Sequence, residues 1–298
     1  MQRLGLLLPL AVLLVACSGQ PNAGAAVSAP VSTTGTQAAP PATTTDAFSG
    51  RIDSVLAGSW RTPADKARDR YRHPRATLEF FGLRPGQTVI EITPSGGWYA
   101  AILAPLMRGQ GTYVAAVAES RRSTGQAAAG KSALEKLFAS DPDEFGAARQ
   151  VVFDGEAPVL GPAGSADMVL TFRNVHNWAE AGTAGKMFEA FFAVLKPGGI
   201  LGVTDHRAAP GKTVKEVVAS GYLPEDYVIK LATDAGFKLL AKSEINANPK
   251  DDRDHPNGVW TLPPRLALRD VDRDKYLAIG ESDRMTLKFV KPAAAATD

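Results

Sequence analysis

The chain has a single cysteine, Cys17, among its 298 residues, and it stands near the N-terminus. No disulfide can form within the chain, which excludes a small scaffold held by cross-links. Histidine is scarce too, with four scattered copies at positions 73, 176, 206 and 255. No Cys/His cluster has zinc spacing, so no metal is expected. No apolar run reaches the roughly 20 residues a bilayer span requires. Charge of one sign is not in excess: 33 basic residues face 31 acidic ones, a net of +2. Basic residues do not form a stripe interleaved with aromatics, so nucleic acid is not an expected partner. There is no internal repeat.

The N-terminal region lacks charge altogether between Arg3 and Asp46. Arg3 precedes an apolar run from Leu4 to Val15, and Leu14-Val15-Ala16-Cys17 follows from its end. A basic start, a short apolar core and a small residue before the cut read as a secretory signal. Leu-Val-Ala-Cys resembles the bacterial lipoprotein signal, which implies that Cys17 becomes the lipidated first residue. A cleaved signal with an incidental cysteine is the other reading. Ser18, where an Asp would imply inner-membrane retention, points to the outer membrane and the periplasmic side of the envelope. Residues 18–46 are rich in Ala, Thr, Pro, Ser and Gly and cannot bury enough apolar surface to fold. They read as a disordered tether whose ends lie about 30 Å apart. One α/β domain is expected over 47–292, followed by a disordered tail, 293–298.

The stretch Thr88 to Leu103 organises that domain. Thr88-Val89-Ile90-Glu91-Ile92 has the β-branched composition of a buried parallel strand. Thr93-Pro94-Ser95-Gly96-Gly97 is a turn, and an apolar segment follows as a helix. Strand, glycine-containing turn and helix together bring a ligand to the backbone at a helix start, or they form an ordinary βα connection. Glu91 at the strand end has an acceptor for a cationic or hydroxylated ligand.

Helices are expected from Pro63 to about Tyr71 and from Pro74 to a stop at Gly82. Arg68, Asp69, Tyr71, Arg72 and His73 make a dense polar cluster. It reads either as a solvated helix face or as a lid supplying Tyr71, Arg72 or His73. Strands follow at Thr112–Val117, Gln150–Phe153, Asp167–Phe172 and Ile200–Thr204, with helices over Gln126–Ala139 and up to Leu195. Lys196-Pro197-Gly198-Gly199 reads as the tight stop of that helix. Glu119 and Asp154 close the second and third strands, and Glu119 lies at the distance from the turn where an acid takes ribose hydroxyls. A helix from Pro224 to Ala235, a strand at Phe237–Lys242, a polar excursion from Asn246 to Gly280 and a last strand at Met285–Val290 complete the domain. The closing strands need no crossover helix and should pair antiparallel.

This succession resembles the class I S-adenosylmethionine-dependent methyltransferase family over roughly Pro63 to Pro292. The resemblance rests on Val89-Ile90-Glu91, on Asp167-Met168-Val169-Leu170, on FFAVLKPGGIL from Phe191 to Leu201, and on Asp234-Ala235-Gly236-Phe237. Within the family the chain resembles a poorly characterised bacterial group, through ARDRYRHP, FFGLRPG, SGGWYAAILAP, RNVHNW, DHRA, ANPKDDR and ESDRMTLKF. The implied fold is a three-layer, Rossmann-like α/β domain with a mostly parallel seven-stranded sheet and an antiparallel last strand. The implied cofactor is S-adenosylmethionine. Glu91, Thr93, Pro94, Ser95, Gly96 and Gly97 would line its methionine and ribose part, Glu119 would take the ribose hydroxyls, Asp154 would face the adenine edge, and Arg173-Asn174 would pass near the sulfonium. The family's acid-x-Gly-x-Gly-x-Gly departs here by Thr93 and Ser95 at the first two glycine positions.

Methyl transfer needs donor and acceptor held close, and an O or N acceptor must lose a proton. A neutral imidazole is such a base. His176 and His206 both stand past strand ends, with Asp205 beside the latter; the alternative for each is a pocket-wall or capping role. Trp98 and Trp178 read as packing residues. Two functions are carried forward: a lipid-anchored transferase acting on a small molecule, or a catalytically inactive envelope lipoprotein on the same fold that binds a ligand or partner. A nicotinamide-dependent oxidoreductase is weaker, since no Gly-x-Gly-x-x-Gly follows the first strand.

Overall fold

The computed structural model describes residues 44–119 and 131–293. The signal, Cys17, most of the tether, the start of the helix expected from Gln126, and the tail beyond Ala293 lie outside the described residues. Seven strands form one sheet in the order β3-β2-β1-β4-β5-β7-β6. Their ranges are β1 Thr88–Ile92, β2 Thr112–Ala118, β3 Arg149–Phe153, β4 Ala166–Phe172, β5 Leu195–His206, β6 Lys238–Ser243 and β7 Arg284–Val290. Pairs among β1 to β5 are parallel, while β7 runs antiparallel to both β5 and β6. The expected architecture is therefore the one observed.

Alternation along β1 explains why this strand is central. Val89 joins a core cluster with Leu170, Tyr113 and Ile102, whereas Ile90 and Ile92 join a second cluster with Val169, Phe191 and Val203. Successive side chains face opposite sides of a pleated sheet, so a run of apolar residues is buried on both faces only when helices cover both. Helices Pro74–Phe81 and Ala100–Met107 contribute to the first cluster, and Ala184–Val194 and Glu225–Asp234 to the second.

Several local expectations are corrected. The helix expected from Pro63 to Tyr71 is two short ones, Pro63–Lys66 and Asp69–Arg72. The helix expected up to Leu195 is likewise two, Val175–Glu180 and Ala184–Val194, separated at Gly182, whose φ is +72°. Lys196 to Gly199 belong to β5, where the ladder jumps from Ala166↔Leu195 to Met168↔Ile200. The polar excursion contains a 3-10 turn, Gly258–Thr261, and a helix, Arg273–Ile279. A helix Thr44–Ala57 begins inside the expected tether, and Phe48, Ile52 and Val55 are buried in the first core cluster.

The chain leaves β1 toward β2 and β3 on one side and returns across it to β4. The reversal of strand order between β1 and β4 opens a crevice at their carboxyl ends, the place where open α/β sheets hold ligands.

Candidate active site

At that crossover Thr93 and Ser95 hold φ of +49° and +53°, and Gly97 holds +82°. These are left-handed conformations that glycine adopts freely and a β-carbon makes costly, by about 1–2 kcal/mol per residue. The turn thus keeps the backbone path of a glycine loop at two positions that carry side chains. Gly97 N donates to Pro94 O at 2.9 Å and Thr93 N to Ala116 O at 2.7 Å, which hold it in place. Ser95 and Gly96 are exposed, and open space lies where a β-carbon on Gly96 would project. At Gly97 a β-carbon would stand 2.7 Å from Leu137 Cδ2, so this glycine serves packing against the helix Ala133–Ser140. The Thr93 hydroxyl is buried without a hydrogen-bond partner among the described residues.

Glu91 does not stand at the lip of this crevice. Its side chain is buried and accepts a 2.7 Å hydrogen bond from the Tyr113 hydroxyl. Burial, only partly offset by that bond, pushes the carboxyl up to about 8. The expectation that Glu91 meets a ligand is therefore corrected: strand alternation turns it into the packed face. Glu119 and Asp154 are both exposed at the carboxyl ends of β2 and β3, where Glu119 N donates to Phe153 O at 2.8 Å. The Asn174 side chain is spent on structure, donating to Ile92 O at 2.9 Å and to the Thr171 hydroxyl at 3.2 Å. It ties the end of β4 to the end of β1.

A cavity of about 340 Å³ opens beside the turn. Ser95, Arg173, His176 and His206 line it from the strand ends, Glu281 and Ser282 from the residues before β7, and Trp260 with Arg265 from the Asn246–Gly280 excursion. The sequence brings His176 and Asp205 together from 29 residues apart: His176 Nδ1 and Asp205 Oδ1 are 2.8 Å apart. Asp205 is fully buried, and its oxygens also accept from the backbone of Val175 at 2.7 Å, His176 at 3.3 Å and His206 at 2.7 Å. Adjacent Asp205 and His206 do not form a side-chain dyad; the dyad is His176–Asp205. A carboxylate on Nδ1 fixes ring orientation and leaves Nε2 for chemistry. His206 Nδ1 stands 2.5 Å from the Ser282 hydroxyl, and the two imidazole centroids are 5.0 Å apart. Burial first, then His176 and the guanidiniums of Arg173, Arg284 and Arg72, hold His206 well below its ordinary 6.5.

His176, Asp205 and His206 offer ligand atoms within 4.8 Å of one another, a grouping the linear spacing of histidines concealed. The electrostatics argue against a cation there. Asp205 has its lone pairs committed to four donors, and guanidiniums surround the pair of rings. Asp205 is an orienting group.

Beneath the cavity lies an arginine bank. Glu281 accepts from Arg68 at 2.6 Å, from Arg72 at 3.0 Å and from Arg284 at 3.2 Å. Burial alone would raise this carboxyl; Arg284, Arg72, Arg68 and Arg173 outweigh it and hold it at about 2. Arg72 is buried, with its guanidinium 4.6 Å from the Trp98 ring centroid, and Arg61 lies 5.3 Å from the same ring. The cluster around Arg72 is thus a buried foundation, whereas His73 is exposed at φ +39°. Trp178 packs edge-on against Phe191, as expected of a packing residue. Glu281 and Ser282 were missed as site residues by the sequence reading. Their signal was an acid and an arginine three apart, immediately before the last strand.

No family profile matches the chain, and no curated protein matches it. Solved structures do match. The [4+2]-cyclase SpnF aligns with a TM-score of 0.53 at 16% identity, covering 83% of this chain and 93% of that one. A candidate sarcosine dimethylglycine methyltransferase from Galdieria sulphuraria aligns at 0.51 and 13% identity, covering 76% and 85%. A SAM-dependent methyltransferase from Aquifex aeolicus aligns at 0.49 and 16% identity, covering 82% and 98%. A cyclase and a methyltransferase on one architecture show that the fold leaves the chemistry to the site. The chain has the Rossmann-like methyltransferase fold.

Proposed function

We propose that the protein is an S-adenosylmethionine-dependent methyltransferase acting on a small molecule. The observation that carries this reading is the His176–Asp205 dyad, set in a cavity that opens beside an unplugged left-handed turn at the crossover of the sheet. The residues present fit the donor. Ser95 and Gly96 leave the lip open, the Thr93 hydroxyl offers an uncommitted buried polar atom, and Glu119 and Asp154 present carboxylates at the ends of the next two strands. When bound, S-adenosylmethionine supplies an electrophilic methyl group. The chain's own contribution is positioning and proton removal. Asp205 holds the His176 ring by Nδ1, and Nε2, without a hydrogen-bond partner among the described residues, takes the proton of an O or N acceptor. His206, kept neutral by burial, lines the same wall and can hydrogen-bond the acceptor without repelling a cationic donor.

The test is calorimetric titration of the purified protein with S-adenosylmethionine and S-adenosylhomocysteine. Both should bind. A β-carbon on exposed Gly96 meets open space, so Gly96→Phe should fold and lose that binding. Absence of heat in the unmodified protein at millimolar ligand would sink the reading. The N-terminal sequence supports a lipid-anchored location on the periplasmic side of the envelope, through Cys17.

A further inference from the structure

The Arg173 guanidinium lines this site with no carboxylate bonded to it among the described residues, whereas Arg68 and Arg72, though each keeps one unpaired buried nitrogen, are bonded to Glu281. Arg68, Arg72 and Arg284 all bond Glu281, and Asp205 is filled by its own neighbours. The Arg173 side chain makes no hydrogen bond among the described residues, yet it lines the cavity beside His176 and His206. Its backbone is pinned at φ +60° by a 2.7 Å hydrogen bond from its N–H to Thr204 O. A non-glycine residue in this conformation is strained, and such strain collects at ligand sites. Burial first, then Arg284 and Arg68, lower the guanidinium to about 10 against the pull of Glu281 and Asp205. Even so it stays charged at neutral pH. Arg265, exposed, adds a second cation to the wall formed by the Asn246–Gly280 excursion.

The consequences for a ligand are unequal. An acceptor that is itself cationic would add to the positive charge of this bank. A neutral apolar molecule would leave five N–H donors of a half-buried guanidinium without acceptors. A carboxylate or a phosphate presents two oxygens at the spacing of the guanidinium fork and neutralises the excess.

We propose that Arg173 receives an anionic group, a carboxylate or a phosphate, borne by the methyl acceptor, so that the substrates of this site are acids. Naming the ligand as the acceptor rests on the methyltransferase reading; the anion site does not. The donor also carries a carboxylate, and the test separates the two sources.

Inorganic phosphate is titrated calorimetrically into the full chain at fixed ionic strength. Saturable binding is expected, weakened by about tenfold to a hundredfold in Arg173→Gln, as loss of a charge-assisted pair implies. Arg173→Lys should recover part of it. Arg84→Gln, which removes a cation from a different cleft, should leave it unchanged. Phosphate should still bind when the protein is saturated with S-adenosylhomocysteine. No saturable binding, or equal binding by a folded Arg173→Gln protein, overturns the proposal. Competition between phosphate and S-adenosylhomocysteine overturns the assignment to the acceptor and gives Arg173 to the donor. If S-adenosylhomocysteine fails to bind while phosphate binding still depends on Arg173, the methyltransferase reading falls and the anion site is upheld.

Discussion

Replacing Glu91 by Gln should make the protein more stable at neutral and alkaline pH. Glu91 is buried at the centre of the sheet with one hydrogen bond, from Tyr113, and its carboxyl titrates near 8 where an exposed one titrates near 4.5. The sign follows from proton linkage. A folded-state value raised above the unfolded one gives stability that is complete below about 4.5 and declines as pH rises toward 8. At pH 7 the folded chain keeps a proton that the unfolded chain has released, and at about 1.36 kcal/mol per pH unit the loss is roughly 3 kcal/mol. By pH 9 it approaches roughly 5 kcal/mol. Glutamine has nearly the same shape, keeps a carbonyl for the Tyr113 hydroxyl and never ionises. Urea unfolding of both proteins at pH 5, 7 and 8.5 measures the difference. It should be small at pH 5 and widen in favour of the variant by roughly 3 kcal/mol at pH 7. A difference that stays constant across that range, or a variant that is less stable at pH 8.5, would refute the placement of Glu91 as a buried neutral acid. Against a domain stability of about 5–15 kcal/mol the effect is large.

Glu281→Gln should act in the opposite direction. With its carboxylate gone, Arg72 is left buried among guanidiniums, at a cost of about 3–5 kcal/mol at pH 7. The wild-type advantage is complete above about 4.5 and fades as pH falls toward 2, because the folded carboxylate is held below its ordinary value; equal urea midpoints at pH 7 would contradict this. Cys17→Ser should release the protein from membranes into the soluble envelope fraction, and continued membrane attachment would argue against a lipid anchor.

Much of the fold was legible because buried strands carry their burial in composition. Thr88–Ile92 and the β4 run are so rich in β-branched and apolar residues that their position in a covered sheet follows directly. The antiparallel close was expected because no crossover helix was read before Met285; a helix, Arg273–Ile279, does stand there, yet β7 still pairs antiparallel with β6. Turn geometry was less legible. Thr93 and Ser95 look like losses in a glycine motif, yet the backbone holds left-handed angles there regardless, with Thr93 N bonded to Ala116 O and Gly97 N to Pro94 O within the turn. Glu91 misled for a related reason: a strand-end acid looks accessible, and only the pairing of β1 with β2 shows that Tyr113 meets it. The dyad was half visible. Both histidines and Asp205 stood at strand ends, but the partner of Asp205 is set by how the helix Val175–Glu180 folds back, which no local spacing encodes. The arginine bank joins residues more than 200 positions apart, Arg68 and Arg72 with Glu281. Contacts of that range leave no periodic trace.

The strand that completes the sheet is also the one that reaches the site last. Strand β7 is inserted between β5 and β6, and the three residues just ahead of it, with its first residue Arg284, tie together distant parts of the chain. Glu281 gathers the arginines, Ser282 meets His206, Asp283 takes Arg207 and Arg253, and Arg284 donates to Tyr71 O. A ribosome delivers the chain from its N-terminus, so a nascent protein released through Gly280 already owns the parallel half of the sheet and both histidines. It lacks the wedge that closes the slot and the serine that steadies His206. The site as described is therefore complete only once the final dozen or so residues of the domain have emerged.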